Sequence, residues 1–293
     1  MRSAAGFALA LIIAAVHATP VQAAEGQVAI VAAENFYGDI ARQIGGDRVT
    51  VVSVMNNPDQ DPHLFETTPT VVRQLAAAQI IILNGANYDP WMDKLLAAAP
   101  RPGRMVINAA QLAGRKPGDN PHLWYDPVTM PAVATALADA LAKADSAYAS
   151  DYAARLKTTL ASLARITQRV AQLKTKHAGV AVTATEPVFG LMTDALGLTM
   201  RNLRFQLAMM NDTEPSARDV VALESDLKER NVKALIYNSQ VSEKLTERMR
   251  AIAAKARVPV IAVTETMPAN VSFQDWVLGE LDAVDKALSG PNS

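Results

Sequence analysis

The sequence contains no cysteine in 293 residues. Disulfides, thiolate metal sites, cysteine nucleophiles and iron–sulfur clusters are thereby excluded, as is a lipid anchor on an N-terminal cysteine. Charge of one sign is lacking too: 28 basic residues stand against 29 acidic, a net of −1. That balance leaves no electrostatic footprint for nucleic acid. No HExxH, GxxxxGK[ST], GxGxxG or GxSxG occurs, so hydrolase and nucleotide chemistry have no handle here. Histidine is scarce, with only four in the chain.

Apolar residues are plentiful, at 50% of the chain. A large core can form, and wholesale disorder is excluded. At about 100–200 residues per domain, the length suggests two domains or lobes. Near the N-terminus Arg2 precedes an apolar run over residues 4–16, followed by Val21-Gln22-Ala23. The run is short of the ~20 residues needed to span a bilayer, and the order of features is that of a cleavable export signal. The mature chain is expected to begin near Ala24, with 27 basic against 29 acidic residues. No later apolar run reaches transmembrane length, so a soluble periplasmic protein is expected, without a lipid anchor and monomeric.

Short β-branched runs alternate with helical patterns along the rest of the chain. Strands are expected at 28–32, 49–54, 79–83, 105–107, 180–183, 233–237 and 258–263, and helices at 70–78, 216–230 and 242–257. The apolar runs mostly do not alternate with polar residues, as parallel strands covered on both faces require. The fold class is α/β. From 132 to 178 there is neither Gly nor Pro, while Tyr148, Tyr152, Leu156, Leu160, Leu163, Val170 and Leu173 recur at spacings of three, four or seven. One amphipathic helix of ~27 residues, hence ~40 Å, is expected there, capped by Asp145 or Ser146. A helix of that length joins two lobes more naturally than two strands of one. The expected division is an export signal (1–23), a first lobe (24–144), a linking helix (145–176) and a second lobe (177–293).

Three histidines remain after signal removal. His63 and His122 sit in matched settings, Asp61-Pro62-His63-Leu64 and Asn120-Pro121-His122-Leu123. In each, a proline stiffens the chain and an Asp or Asn can hydrogen-bond locally. His177 ends the long helix beside Lys174 and Lys176, where it reads as a partner of the helix dipole. Two glutamates stand out by position, Glu186 and Glu265, each just past an expected strand and each followed by a proline within three residues. Ligands of open α/β sheets gather outside the carboxyl ends of strands. Capping the next helix is the competing role for both. Two imidazoles and two carboxylates suit a divalent transition metal.

At these residues the chain resembles the metal-binding receptors of bacterial zinc and manganese ABC transporters, the cluster A-I (cluster 9) substrate-binding proteins. The matching stretches are Ala33-Glu34-Asn35-Phe36-Tyr37-Gly38, Gln60-Asp61-Pro62-His63-Leu64-Phe65-Glu66 and Asn120-Pro121-His122-Leu123-Trp124-Tyr125-Asp126-Pro127. Glu186-Pro187-Val188-Phe189-Gly190 and Thr264-Glu265-Thr266-Met267-Pro268 complete the set. The resemblance implies two α/β lobes joined by a long rigid helix, with a metal held in the cleft between them. It implies His63 and His122 as ligands from the first lobe and Glu186 and Glu265 from the second. Asn35, Glu66 and Asp126, in the same stretches, are candidates to support them. Glu265 departs from the Asp most often found at its place. The His-rich loop of many zinc-type members is missing, for residues 101–119 hold no histidine. The implied partners are Zn2+ or Mn2+ as cargo and an inner-membrane ABC permease. Two carboxylates harden the donor set toward manganese, whereas zinc binds N/O sites more tightly. The alternatives are an exported metal-dependent hydrolase, a surface adhesin, or a receptor for a chelated metal or organic anion.

Overall fold

The computed structural model describes residues 26–57, 67–241 and 243–290. The expected export signal, His63 and Glu66 lie outside the described residues. Among the described residues no helix is long and apolar enough to cross a membrane.

The first lobe carries four parallel strands, β1 (Val28–Glu34), β2 (Val49–Met55), β3 (Ile80–Leu83) and β4 (Met105–Asn108), in the order β2-β1-β3-β4. Helices α1 (Asn35–Gly45), α2 (Pro69–Ala77), α3 (Pro90–Ala98) and α4 (Ala109–Leu112) follow the successive strands, and α5 (Thr129–Ala144) closes the lobe. The second lobe repeats the plan. Its strands β5 (Ala181–Ala184), β6 (Thr199–Arg201), β7 (Leu235–Asn238) and β8 (Val260–Val263) lie in the order β6-β5-β7-β8, again all parallel. Its helices are α7 (Gly190–Ala195), α8 (Leu203–Met210), α9 (Ala217–Lys228), α10 (Lys244–Ala256) and α11 (Phe273–Ser289).

Helices on both faces explain the unbroken apolar strands. In β1, Ile30 and Ala32 enter a core that runs through both lobes, while Val31 and Ala33 enter a separate core against α2 and α3. The second sheet is likewise backed on its other side by a core of α8, α9 and α10 residues, among them Phe205, Leu223 and Met249. The three-residue strand β6 escaped the sequence reading because two of its three residues are exposed and one is Arg201. In both sheets the strand order reverses beside the first strand, between β1 and β3 and between β5 and β7. The crevices at those two points are where ligands of such sheets bind.

Helix α6 (Ala149–His177) links the lobes, 29 residues or about 43 Å long. Its buried side chains, Tyr152, Thr159, Leu163, Ile166, Val170, Leu173 and His177, follow a three-four spacing. Neither Asp145 nor Ser146 caps it. A 3₁₀ turn, Ser146–Tyr148, intervenes, and Asp145 Oδ2 instead accepts from Arg48 at 3.2 Å and from the Tyr152 hydroxyl at 2.9 Å. At the far end α6 is tied to α11. Asp285 Oδ1 lies 2.8 Å from His177 Nε2 and 2.9 Å from Lys176 Nζ, and its Oδ2 accepts from Arg169 at 2.9 Å. The hydrogen bond to His177, then that to Lys176, holds the Asp285 carboxyl well below the usual carboxylate range. Its contribution to stability is therefore present above about pH 4 and is lost as pH falls through the depressed native value. Asp285→Asn is expected to lower the Tm at pH 7, with the deficit closing below about pH 4 in a pH series of thermal melts.

Candidate metal centre

His122 is fixed by its own turn. Asn84, at the carboxyl end of β3, donates from Nδ2 to the Pro121 carbonyl at 2.8 Å, and its Oδ1 accepts from the Tyr37 hydroxyl at 2.8 Å. The Asn120 side-chain oxygen accepts from the His122 backbone N–H at 3.1 Å and lies 2.7 Å from His122 Nδ1. An atom that accepts from a backbone N–H is an oxygen, so Nδ1 must be the donor. The neutral ring then keeps its lone pair on Nε2. Asn120 also donates across the cleft to the Pro187 carbonyl at 2.8 Å. Gly190 permits this approach, since a Cβ there would meet Asn120 Nδ2 at 2.8 Å.

The second lobe brings in the carboxylates from strand ends. Gln240 Oε1 accepts from the backbone N–H groups of Glu265 (2.5 Å) and Thr266 (2.8 Å), which aims the turn after β8. Glu265 Oε1 accepts from Asn238 Nδ2 at 2.7 Å, and its Oε2 accepts from the Tyr88 hydroxyl at 2.9 Å. The same Asn238 nitrogen donates to Glu186 Oε2 at 3.2 Å. One amide at the end of β7 thus holds two carboxylates together. Neither glutamate plays the competing role. Glu186 precedes a 3₁₀ turn without a side-chain cap bond, and both Glu265 oxygens are engaged by Tyr88 and Asn238.

His122 and Glu265 converge from opposite lobes, each 1% exposed, with Nε2 and Oε2 3.6 Å apart. Two ligands of one tetrahedral ion, with bonds of ~2.1 Å, stand roughly 3.4 Å apart. Glu186 is 7% exposed. Two carboxylates buried side by side call for a compensating positive charge. Trp124 packs edge-on to the His122 ring at 5.4 Å and to Tyr88 at 4.9 Å, so the walls are apolar and charges inside interact strongly. Burial, then the nearby Glu265 carboxylate, pushes the Tyr88 phenol well above its ordinary value, so Tyr88 remains a donor to Glu265. Behind it, burial pushes Glu34 well above the usual carboxylate range and Asp89 up to about 6. Among the described residues no group of three or more His, Cys, Asp or Glu side chains is by itself arranged to hold a metal. His122 and Glu265 meet there, and Glu186 joins them through Asn238.

Asn35 supports the same turn. Its amide donates to the Met267 carbonyl at 2.7 Å and its oxygen accepts from the Met267 N–H at 3.1 Å. Asp126 faces Arg115 at 3.1 Å and accepts from the Val128 N–H ahead of α5. His177 is engaged with Asp285 at the end of α6. Asn238 was not read from the sequence, although it obeys the strand-end rule that singled out Glu186 and Glu265. Tyr88 and Gln240 carried no comparable signal.

The family described as "Zinc-uptake complex component A periplasmic" matches residues 30–287. The "Zinc-binding protein TroA" of Treponema pallidum (strain Nichols) is 24% identical over 286 residues, covering 91% of this chain and 91% of that protein. The "Manganese-binding lipoprotein MntA" of Bacillus subtilis (strain 168) is 26% identical over 241 residues, covering 76% of this chain and 74% of its own length. A solved structure titled "Crystal structure of ZnuA" is 25% identical, covers 90% of this chain and 97% of its own, and superposes with a TM-score of 0.70.

Proposed function

Because this chain belongs to the family of periplasmic A components of zinc-uptake complexes, we propose that it captures a divalent transition metal outside the cytoplasm and delivers it to an ABC-transporter permease. The cargo is zinc or manganese. The ligands are His63, His122, Glu186 and Glu265, two imidazoles and two carboxylates whose charges neutralise the ion. The observation that carries this reading is the 3.6 Å separation of His122 Nε2 and Glu265 Oε2 across the cleft. Family membership sets aside the hydrolase and the adhesin, for the family is one of transport receptors.

The same reading divides the chain into 24–144, 145–176 and 177–293 after a cleaved signal at 1–23. It gives a monomer free in the periplasm, with no cysteine to carry a lipid. Calorimetric titration of the metal-free mature protein is the test. One ion per chain is expected for both metals, with zinc the tighter because it leads manganese at N/O sites. A receptor for a chelated metal or an organic anion predicts no tight binding of either free ion, and that result would contradict the proposal.

A further inference from the structure

Glu280, on α11, lies buried beneath the turn that presents Glu265. Its Oε1 accepts from Trp276 Nε1 at 3.0 Å and from the Thr264 N–H at 3.3 Å. It also lies 2.9 Å from the hydroxyl of Tyr125, three residues past His122 in the first lobe. That hydroxyl is at the same time 2.7 Å from the Thr264 carbonyl oxygen. Oε2 is buried and has no partner.

A phenol has one proton, yet Tyr125 has two oxygen neighbours at hydrogen-bond distance. One phenol proton can be shared between the two oxygens, but each contact is a full hydrogen bond only with a second proton. The Thr264 carbonyl has none to give, so that proton would be carried by Glu280. An ionised carboxylate would moreover leave Oε2 charged, buried and without a donor, which is costly. Burial raises the Glu280 carboxyl to about 8, in keeping with a neutral acid. Among the described residues no cation offsets it. The Arg169, Lys176 and His177 side chains of neighbouring α6 are taken up by Asp282 and Asp285. At the other end of α11, Asp39 of α1 accepts from the Phe273 N–H at 2.9 Å.

We propose that Glu280 is a positioning residue for metal capture. Carrying its proton, it donates to Tyr125, which donates to the Thr264 carbonyl, while Glu280 accepts from the Thr264 N–H. Both backbone polar groups of Thr264, the residue before Glu265, are then held, one of them from the opposite lobe. The latch couples the His122 turn to the Glu265 turn without touching the metal. It rests on the reading of Glu265 as a ligand.

Two measurements test it. In the metal-free protein, carboxyl 13C NMR assigned by Glu280→Gln is expected to show Glu280 titrating near pH 8 rather than near ~4.3. A group with a raised native value favours folding fully below its unfolded value and loses that contribution as pH rises through the native one. The Tm of the native sequence should therefore fall between about pH 5 and 8, and Glu280→Gln should flatten that slope. In zinc titrations at pH 7, Tyr125→Phe and Glu280→Leu should each weaken binding roughly tenfold, with Glu280→Gln recovering part of the loss. Where Glu280→Leu fails to fold, Tyr125→Phe carries the test alone. Native-like zinc affinity in Tyr125→Phe, or a Glu280 resonance titrating below pH 6, would overturn the latch. Failure of the ligand reading is distinct. It would show as unchanged affinity in Glu265→Gln while the Glu280 titration stayed near 8.

Discussion

His122→Ala is expected to weaken zinc binding by more than ~100-fold. The imidazole supplies a nitrogen with its lone pair aimed into the cleft, and alanine leaves water in its place. Loss of a group that only orients a ligand costs about 10–100-fold in metal affinity. Loss of a ligand must exceed that, while Asn120→Ala, which removes the acceptor fixing the ring through Nδ1, should fall within it. His177→Ala should leave affinity unchanged, because that ring is bound to Asp285 on α11. Its cost is confined to the α6–α11 contact. Calorimetry on the three variants separates ligand, orienting group and bystander. Equal losses in all three would mean that the assignment is wrong.

The second large effect is expected at Glu265. Gln is nearly isosteric and can still accept one of the two hydrogen bonds from Asn238 and Tyr88. What it cannot supply is charge. A divalent ion held by two carboxylates is neutralised, and with one carboxylate removed the centre is left positive among apolar walls, where uncompensated charge is costly. Zinc and manganese binding should both weaken on the order of 100-fold, about 2.7 kcal/mol. Glu265→Asp keeps the charge but withdraws the oxygen, so it should bind more weakly than the native protein and more tightly than Glu265→Gln. Native-like affinity of Glu265→Gln for both metals would remove Glu265 from the ligand set.

Much of this arrangement is legible in the sequence because the physics that fixes it is local. Apolar runs without polar alternation announce strands covered on both faces, and a stretch free of Gly and Pro with a three-four spacing announces α6. Where the structure departs from the reading, a competing interaction has won. Asp145 has the chemistry of a cap but is drawn to Arg48 and Tyr152 instead. Strand β6 is too short and too exposed to leave an apolar signature. At the candidate metal centre, strand-end carboxylates and a proline-stiffened histidine can be picked out one residue at a time. Tyr88 and Gln240 cannot, because their roles depend on which backbone and carboxylate groups come within reach once the chain has folded. Tyr88 and Glu265 are 177 residues apart in the chain, and no local pattern records their 2.9 Å contact. Asn238 lies between these cases, placed by the strand-end rule but carrying no charge to mark it.

The most direct measurement is anomalous diffraction at the zinc edge from crystals of the mature protein grown with one equivalent of zinc. A single strong peak is expected in the cleft, roughly 2.0–2.2 Å from His122 Nε2 and from a carboxylate oxygen of Glu265, with Glu186 and His63 completing the coordination. A peak elsewhere, such as beside His177 and Asp285, or an ion in the cleft bound without His122 and Glu265, would contradict the account.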